Sequence, residues 1–264
     1  MYNYHVQNQW GGNSAPWHEG GAWVLGYRNN QACVAIDIQS GDGGKTFHGT
    51  MTYAGEGPIG FQGTLVCGNT YVVQNQWGGN SAPWHPGGHW VIGARDGQRC
   101  VALKVTSADN GMTMTGTNTY AGEGPIGFKA TAALKQHSDV QNQWGGDSAP
   151  WHEGGAWILS SREPQLVEAI NITSGDGGKT FTGSMQYAGE GPIGTKCIWV
   201  MGNTYTVQNQ WGGNSAPWHD AGQWLIGGRD GQRCVALNVK GSPLAGQNTY
   251  AGEGPIGFKS VLEG

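Results

Sequence analysis

Charge is scarce in this chain: only 12% of its 264 residues are Asp, Glu, Lys or Arg, and the formal net charge is −4. Residues 1–135 carry 7 basic and 7 acidic side chains, and residues 136–264 carry 7 against 11, so the halves sum to zero and −4. No basic patch recurs, which argues against a nucleic-acid partner. Long apolar runs are also missing. None approaches the roughly 20 residues that a membrane-crossing helix needs, so no membrane insertion is expected. The opening MYNYHVQNQW has no charged stretch followed by an apolar one, and the expectation is cytoplasmic synthesis without a signal peptide, with release or surface display left open. The 5 cysteines are too few and too odd in number for a full disulfide framework. Cys33, Cys100 and Cys234 occupy one equivalent position in three repeats, with Val167 in the remaining one, which reads as small apolar strand residues in a reducing compartment.

Glycine and tryptophan are abundant instead, at 49 and 13 residues. Glycine at that density opposes helices and favours tight turns and close backbone approach. The chain repeats itself. QNQWGG begins at Gln7, Gln74, Gln141 and Gln208, a constant step of 67 residues. SAPWH recurs from Ser14, Ser81, Ser148 and Ser215, and YAGEGPIG from Tyr53, Tyr120, Tyr187 and Tyr250, the last step being 63 because the segment before Tyr250 is four residues shorter.

Within a repeat the apolar pattern has period two, in stretches such as 22–28, 33–40, 45–53, 59–66 and 70–77, which predicts strands. Between them lie turn sequences such as SGDGGKT. The count is about five strands per repeat and about twenty in the chain. One repeat alone would leave open edges and apolar faces, so two repeats closing into one barrel is the economical arrangement. The expected fold is all-β: two tandem antiparallel β-barrel domains, residues 1–134 and 135–264, with the boundary near KQHSD, where the aromatic found at Tyr4, Tyr71 and Tyr205 is missing.

Three tryptophans stand in register in every repeat, as Trp10, Trp17 and Trp23 do in the first. Trp23 lies in an apolar alternating stretch and reads as core. Trp17 follows Ala-Pro in a loop and can serve either role. Trp10, Trp77, Trp144 and Trp211 each precede a glycine pair: Gly11 and Gly12, Gly78 and Gly79, Gly145 and Gly146, Gly212 and Gly213. An indole beside two bare backbone units makes a flat platform with accessible amides, which suits the apolar face and hydroxyl rim of a sugar ring; plugging a barrel end is the plain alternative. Glu56, Glu123, Glu190 and Glu253 sit between glycines on a turn and can accept hydrogen bonds from vicinal hydroxyls. Arg28, Arg95, Arg162 and Arg229, read as closing the strand after the tryptophans, add fixed donors. A surface Arg–Glu pair explains the last two sets equally simply. Their joint retention in four copies, while Glu19, Pro86, Glu153 and Asp220 vary at one position, favours a site.

Other chemistries fit less well. Glycoside hydrolysis needs two carboxylates across the bond, and each repeat retains one in all four copies. Asp42, Asp109 and Asp176 resemble calcium ligands, but the fourth repeat deletes their loop, so they read as hairpin turns. His18, His85, His152 and His219 lack a second ligand at metal spacing, and a loop hydrogen bond is expected of them.

The set QNQWGG, SAPWH, the arginine and TYAGEGPIGF resembles the family of the Oscillatoria agardhii agglutinin over residues 4–262. The resemblance implies two-repeat β-barrels that bind the branched core of high-mannose glycans without metal or cofactor, including glycans on viral envelope glycoproteins. It also implies sites shared between repeats: Trp10, Gly11 and Gly12 with Arg95, Glu123 and Gly124; Trp77, Gly78 and Gly79 with Arg28, Glu56 and Gly57; Trp144, Gly145 and Gly146 with Arg229, Glu253 and Gly254; and Trp211, Gly212 and Gly213 with Arg162, Glu190 and Gly191. The expectation is a non-enzymatic, monomeric, tetravalent mannose-binding lectin that crosslinks glycans and acts as an agglutinating, antiviral protein. A structural or surface-assembly repeat protein is the alternative. Two departures carry their own expectations: the shortened hairpin before Tyr250 leaves open whether Glu253 keeps its place and its site functions, and Thr195 in place of phenylalanine, with EPQLVEA in place of the usual strand start, makes the second barrel less stable.

Overall fold

The alternation of buried and exposed side chains sets the strands: in CVAIDIQ, Cys33, Ile36 and Ile38 are buried while Asp37 and Gln39 face water. In the computed structural model, residues 2–26, 28, 31–95, 97–133, 138–160, 165–229 and 231–262 are described. Among them there is no helix, and the chain divides into two compact units, Met1–Leu134 and Lys135–Gly264.

The first unit contains β1 (Tyr2–Gln9), β2 (His18–Leu25), β3 (Cys33–Gln39), β4 (Thr46–Tyr53), β5 (Ile59–Cys67), β6 (Thr70–Gln76), β7 (His85–Val91), β8 (Ala94–Arg95), β9 (Gln98–Thr106), β10 (Thr113–Tyr120) and β11 (Ile126–Ala132). All pairings are antiparallel, and ten strands close into a barrel in the order β1-β2-β7-β6-β5-β4-β3-β9-β10-β11, with β11 returning to β1 and the two-residue β8 beside β9. Each repeat supplies five of the ten. The first strand of one repeat is paired with the last strand of the other, because neither repeat can satisfy its own edge.

The second unit repeats the plan with β12 (Ser138–Gln143), β13 (His152–Trp157), β14 (Val167–Thr173), β15 (Thr180–Tyr187), β16 (Ile193–Met201), β17 (Thr204–Gln210), β18 (His219–Leu225), β19 (Gly228–Arg229), β20 (Gln232–Lys240), β21 (Ala245–Tyr250) and β22 (Pro255–Leu262). The sheet runs β13-β12-β22-β21-β20-β14-β15-β16-β17-β18, with β19 on β20. Its two ends meet at the Ile158–Leu225 bridge, the counterpart of Val24–Val91, the one residue pair joining β2 to β7.

Trp23, Trp90, Trp157 and Trp224 are fully buried, as their alternating stretches predict. Trp23 packs edge-on against Phe128 at 5.1 Å and Trp157 against Phe258 at 5.3 Å, so each barrel core is shared by both of its repeats. The cysteines are free, and Cys33, Cys100 and Cys234 are buried strand residues whose thiols burial pushes up to about 12.

One expected strand is displaced. The stretch 22–28 forms its strand earlier, from His18 to Leu25, because a bulge between Val6 and Gln7 brings Glu19 and His18 into register with β1.

Candidate functional site

At the two opposite ends of each barrel, four-residue turns present the recurring glutamates, because β4 and β10 run in opposite directions, as do β15 and β21. Tyr53 to Glu56 is closed by the Glu56 amide donating to the Tyr53 carbonyl at 3.0 Å, and the same bond recurs at Glu123, Glu190 and Glu253. Gly55, at φ 80°, takes the left-handed position such a turn requires.

The carboxylate is held from two sides. Arg28 Nη1 donates to Glu56 Oε1 at 2.5 Å and to Gln31 Oε1 at 2.8 Å. Gln31 Nε2 donates to the same glutamate oxygen at 2.9 Å and to the Ala54 carbonyl at 3.0 Å. The Glu56 carboxyl is thereby held below its ordinary range, chiefly by Arg28 and then by Gln31. The guanidinium lies 4.4 Å from the Tyr53 ring and 5.5 Å from the indole of Trp77, which belongs to the other repeat.

The set recurs. Arg95 pairs with Glu123 and with Gln98 at 3.1 Å, over Tyr120 at 4.6 Å and Trp10 at 5.5 Å. Arg229 pairs with Glu253 and with Gln232 at 3.1 Å, over Tyr250 at 4.8 Å and Trp144 at 5.4 Å. In the remaining copy Gln165 donates to Glu190 at 2.9 Å; Arg162 lies outside the described residues. The structure thus brings tryptophan, arginine and glutamate from different repeats together in three copies. The shortened hairpin does not displace Glu253, because it joins β20 to β21 while Glu253 lies beyond the far end of β21.

The tryptophan loops are built as platforms. Trp10, Trp77, Trp144 and Trp211 are 41–46% exposed. Gly11 and Gly12 lie at φ 94° and 95°, where a Cβ would be strained, and Gln9 Nε2 pins the loop to the Ala15 carbonyl at 2.6 Å. Under Trp10 the ring of His18 is stacked at 4.2 Å and 15°, and the other three copies match. This ring stack stands in place of the loop hydrogen bond expected of these histidines, and it braces an indole that stays partly exposed.

Gly57, Gly124, Gly191 and Gly254 follow the glutamates. A Cβ on any of them would meet nothing within 4 Å, and none lies in the left-handed region. Neither strain nor crowding within the chain accounts for glycine there. Fixed donors, a carboxylate, an open indole and bare backbone together suit a neutral ligand with apolar faces and vicinal hydroxyls.

Two features escape a sequence reading. Gln31, Gln98, Gln165 and Gln232 complete the clamp, and their recurrence in all four repeats is the signal that could have found them. Arg28 lies beyond the end of β2, and Arg95 and Arg229 sit in the separate short strands β8 and β19, so the arginines do not close the tryptophan strands. The hairpin aspartates are turn residues as read: Asp42 accepts from Ser40, Lys45 and Thr46, its Oδ2 taking the Thr46 hydroxyl at 2.7 Å.

The family model for the OAA-family lectin sugar binding domain matches four times, at residues 2–66, 69–133, 137–197 and 203–263. The chain belongs to the OAA-family lectins. It is 57% identical to the myxobacterial hemagglutinin of Myxococcus xanthus, with 99% of this chain and 100% of that protein covered. Lectin OAA of Planktothrix agardhii is 63% identical over 48% of this chain and 97% of its own length. Among solved structures, the Burkholderia oklahomensis agglutinin superposes with a TM-score of 0.95 at 60% identity, covering 99% of this chain and 95% of that one. The M. xanthus hemagglutinin in complex with α3,α6-mannopentaose gives 0.95 at 57% identity, covering 99% and 100%. These OAA-family relatives are lectins and agglutinins, so the chain is a carbohydrate-binding protein and not an enzyme.

Proposed function

We propose that this lectin binds the branched core of high-mannose glycans at four sites, without a metal, and crosslinks the glycoproteins that carry them. One observation carries the reading: an open indole from one repeat stands within 5.5 Å of an arginine that is clamped to a glutamate of the other repeat, beside a glycine the fold does not need. A mannose ring lies on the indole by its C–H face, its vicinal hydroxyls donate to the carboxylate and accept from the guanidinium, and the bare glycines let the next ring approach the backbone. The mannopentaose in the M. xanthus relative supports this ligand class. Four sites on one chain raise avidity over single-site affinity by about 10² to 10⁴ where glycan spacing permits. Dense high-mannose surfaces such as viral envelope glycoproteins are the proposed targets, reached by a monomeric lectin after release or display from the cell that makes it.

Titration calorimetry with a branched mannopentaose tests the reading. Four equivalents bind per chain, and Trp77→Ala with Glu56→Ala reduces this to three with folding intact. Unchanged stoichiometry in the double variant, or no heat with any mannose oligosaccharide, overturns it.

A further inference from the structure

Beyond the arginine and glutamate clamp, Trp10 borders a second concavity that the clamp does not line. It is a cleft of about 510 Å³ between the two exposed tryptophans of the loop, Trp10 and Trp17, floored by the β10–β11 hairpin at Thr115, Thr117, Gly127 and Lys129. A cleft of the same size lies at the equivalent place in the second barrel, beside Trp144 and Trp151. Such a volume is in the ~300–1,000 Å³ range of small-molecule sites.

Its construction is specific. Trp17 stands on Gly127, where a Cβ would come within 3.4 Å of Trp17 Cη2, and Gly60, Gly194 and Gly257 receive Trp84, Trp218 and Trp151 in the same way at 3.4–3.5 Å. A Cβ there would touch the indole at contact distance and crowd the neighbouring glutamine, Gln9 Cβ lying 3.1 Å from the one built on Gly127. Beside it, Lys259 Nζ lies 4.3 Å from the Trp151 ring and Lys196 Nζ 4.7 Å from that of Trp218. In these two copies the ring contact holds the ammonium beside the second indole as a donor, while Lys129 lines the Trp10 cleft without such a contact.

We infer that this cleft is an outer subsite taking a further hexose of the glycan whose terminal ring sits in the clamp, and that the four outer subsites are chemically unequal. The inference rests on the glycan reading above. The cleft shares the Trp10 edge with the clamp, so one branched ligand can reach both, and paired indoles with hydroxyl and ammonium donors suit a pyranose better than a charged or purely apolar group. The floor varies where the clamp does not. Thr115 faces Lys129 across the hairpin; the counterparts are His48 with Gln62, Thr182 with Lys196 and Ala245 with Lys259. The clamp residues thus recur in the sequence of each copy while the neighbouring sugar meets a different pair of side chains.

The test uses the full chain with Glu56, Glu190 and Glu253 replaced by Ala, leaving the clamp at Arg95 and Glu123. Affinities are measured for a branched mannotriose and for a nine-mannose oligosaccharide. Adding Lys129→Ala lowers the ratio of the second affinity to the first about fivefold, and Thr117→Leu, which fills the floor, lowers it further. A ratio unmoved by both variants overturns the outer subsite while leaving the proposed function standing. Failure of the three-glutamate parent to bind either sugar overturns both.

Discussion

The phenol of Tyr205 donates to the main-chain carbonyl of Gly178, 2.6 Å away, in the hairpin of the other repeat of its barrel. Tyr71 does the same to Gly44 at 2.6 Å and Tyr4 to Gly111 at 2.8 Å. Three of the four repeats thus open with a tyrosine that fastens the partner repeat's hairpin. In the second barrel one such bond has no counterpart. Ser138 occupies the tyrosine position, and the hairpin it would reach is the one shortened by four residues, where buried Leu244 now closes the core. Two departures more than a hundred residues apart are one structural change.

Tyr71→Phe leaves the Gly44 carbonyl buried without its donor, a loss of about 1–3 kcal/mol. Denaturant unfolding should show the midpoint falling with an unchanged slope. The reverse substitution, Ser138→Tyr, should also destabilise, because no hairpin carbonyl awaits the hydroxyl and Leu244 fills the space. A more stable Ser138→Tyr protein would contradict the coupling.

The third repeat departs from the others at a second coupled pair. Phe61 leaves so little room that a Cβ on Gly63 would lie 3.3 Å from its ring. Relative to the first repeat the third exchanges the sizes, with Thr195 for the phenylalanine and buried Cys197 for the glycine, while Ala130 and Ser260 hold the latter place beside Phe128 and Phe258. Thr195→Phe alone should therefore overpack and cost about 1–3 kcal/mol. Thr195→Phe with Cys197→Gly should recover that loss, giving a coupling of about 0.5–3 kcal/mol in a double-mutant cycle; additive effects would exclude the exchange.

The sequence made the large features legible because they depend on repetition and period. Which indole is buried follows from alternation around Trp23, and which is exposed follows from the glycines after Trp10. The pairing of Arg95 with Glu123 could be suspected, since both recur. What stayed hidden depends on distance in space. Gln31 is a generic polar residue until the Ala54 carbonyl and Glu56 are seen beside it. His18 suggests a metal or a hydrogen bond until the bulge in β2, where Gly20 is the extra residue opposite Val6 and Gln7, is seen beside the stack of its ring under Trp10. The bulge also explains the misplaced strand start, because one extra residue reverses the alternation on which the reading relies.

Gly124→Ala separates binding from folding. Its backbone is outside the left-handed region and a Cβ there meets nothing within 4 Å, so unfolding should change by no more than about 0.5 kcal/mol. Affinity at the Trp10 site should fall at least tenfold as the methyl occupies the space of the approaching ring. Calorimetry on a chain whose other three clamps are disabled reads this directly, and undiminished binding would show that the glycine serves something other than ligand approach.

Gln98→Ala should act through Glu123 and not through the ligand. Gln98 accepts from Arg95 at 3.1 Å and donates to the Ala121 carbonyl at 3.3 Å, bracing the turn that carries the carboxylate. Removing it should weaken binding severalfold and broaden the Arg95 guanidinium signals in NMR spectra. Gln98→Glu, which retains the acceptor but loses the amide donor, should restore only part of the affinity. Wild-type affinity in Gln98→Ala would remove glutamine from the clamp.

The pH response follows from Glu56. Its folded pKa lies below the ordinary carboxylate value because Arg28 and then Gln31 hydrogen-bond the charged form. A depressed pKa means that the stabilisation is present above the unfolded value and is lost as pH falls through the folded one. Binding at the Trp77 site should therefore stay level from neutral pH down through the usual carboxylate range and decline only below it. Two curves recorded together test this: affinity against pH, and the chemical shift of the Glu56 carboxyl carbon. Arg28→Lys, which cannot hold both Glu56 and Gln31 in the same planar arrangement, should move both midpoints upward together. Affinity that falls while the Glu56 carboxyl is still ionised would assign the pH response to another group.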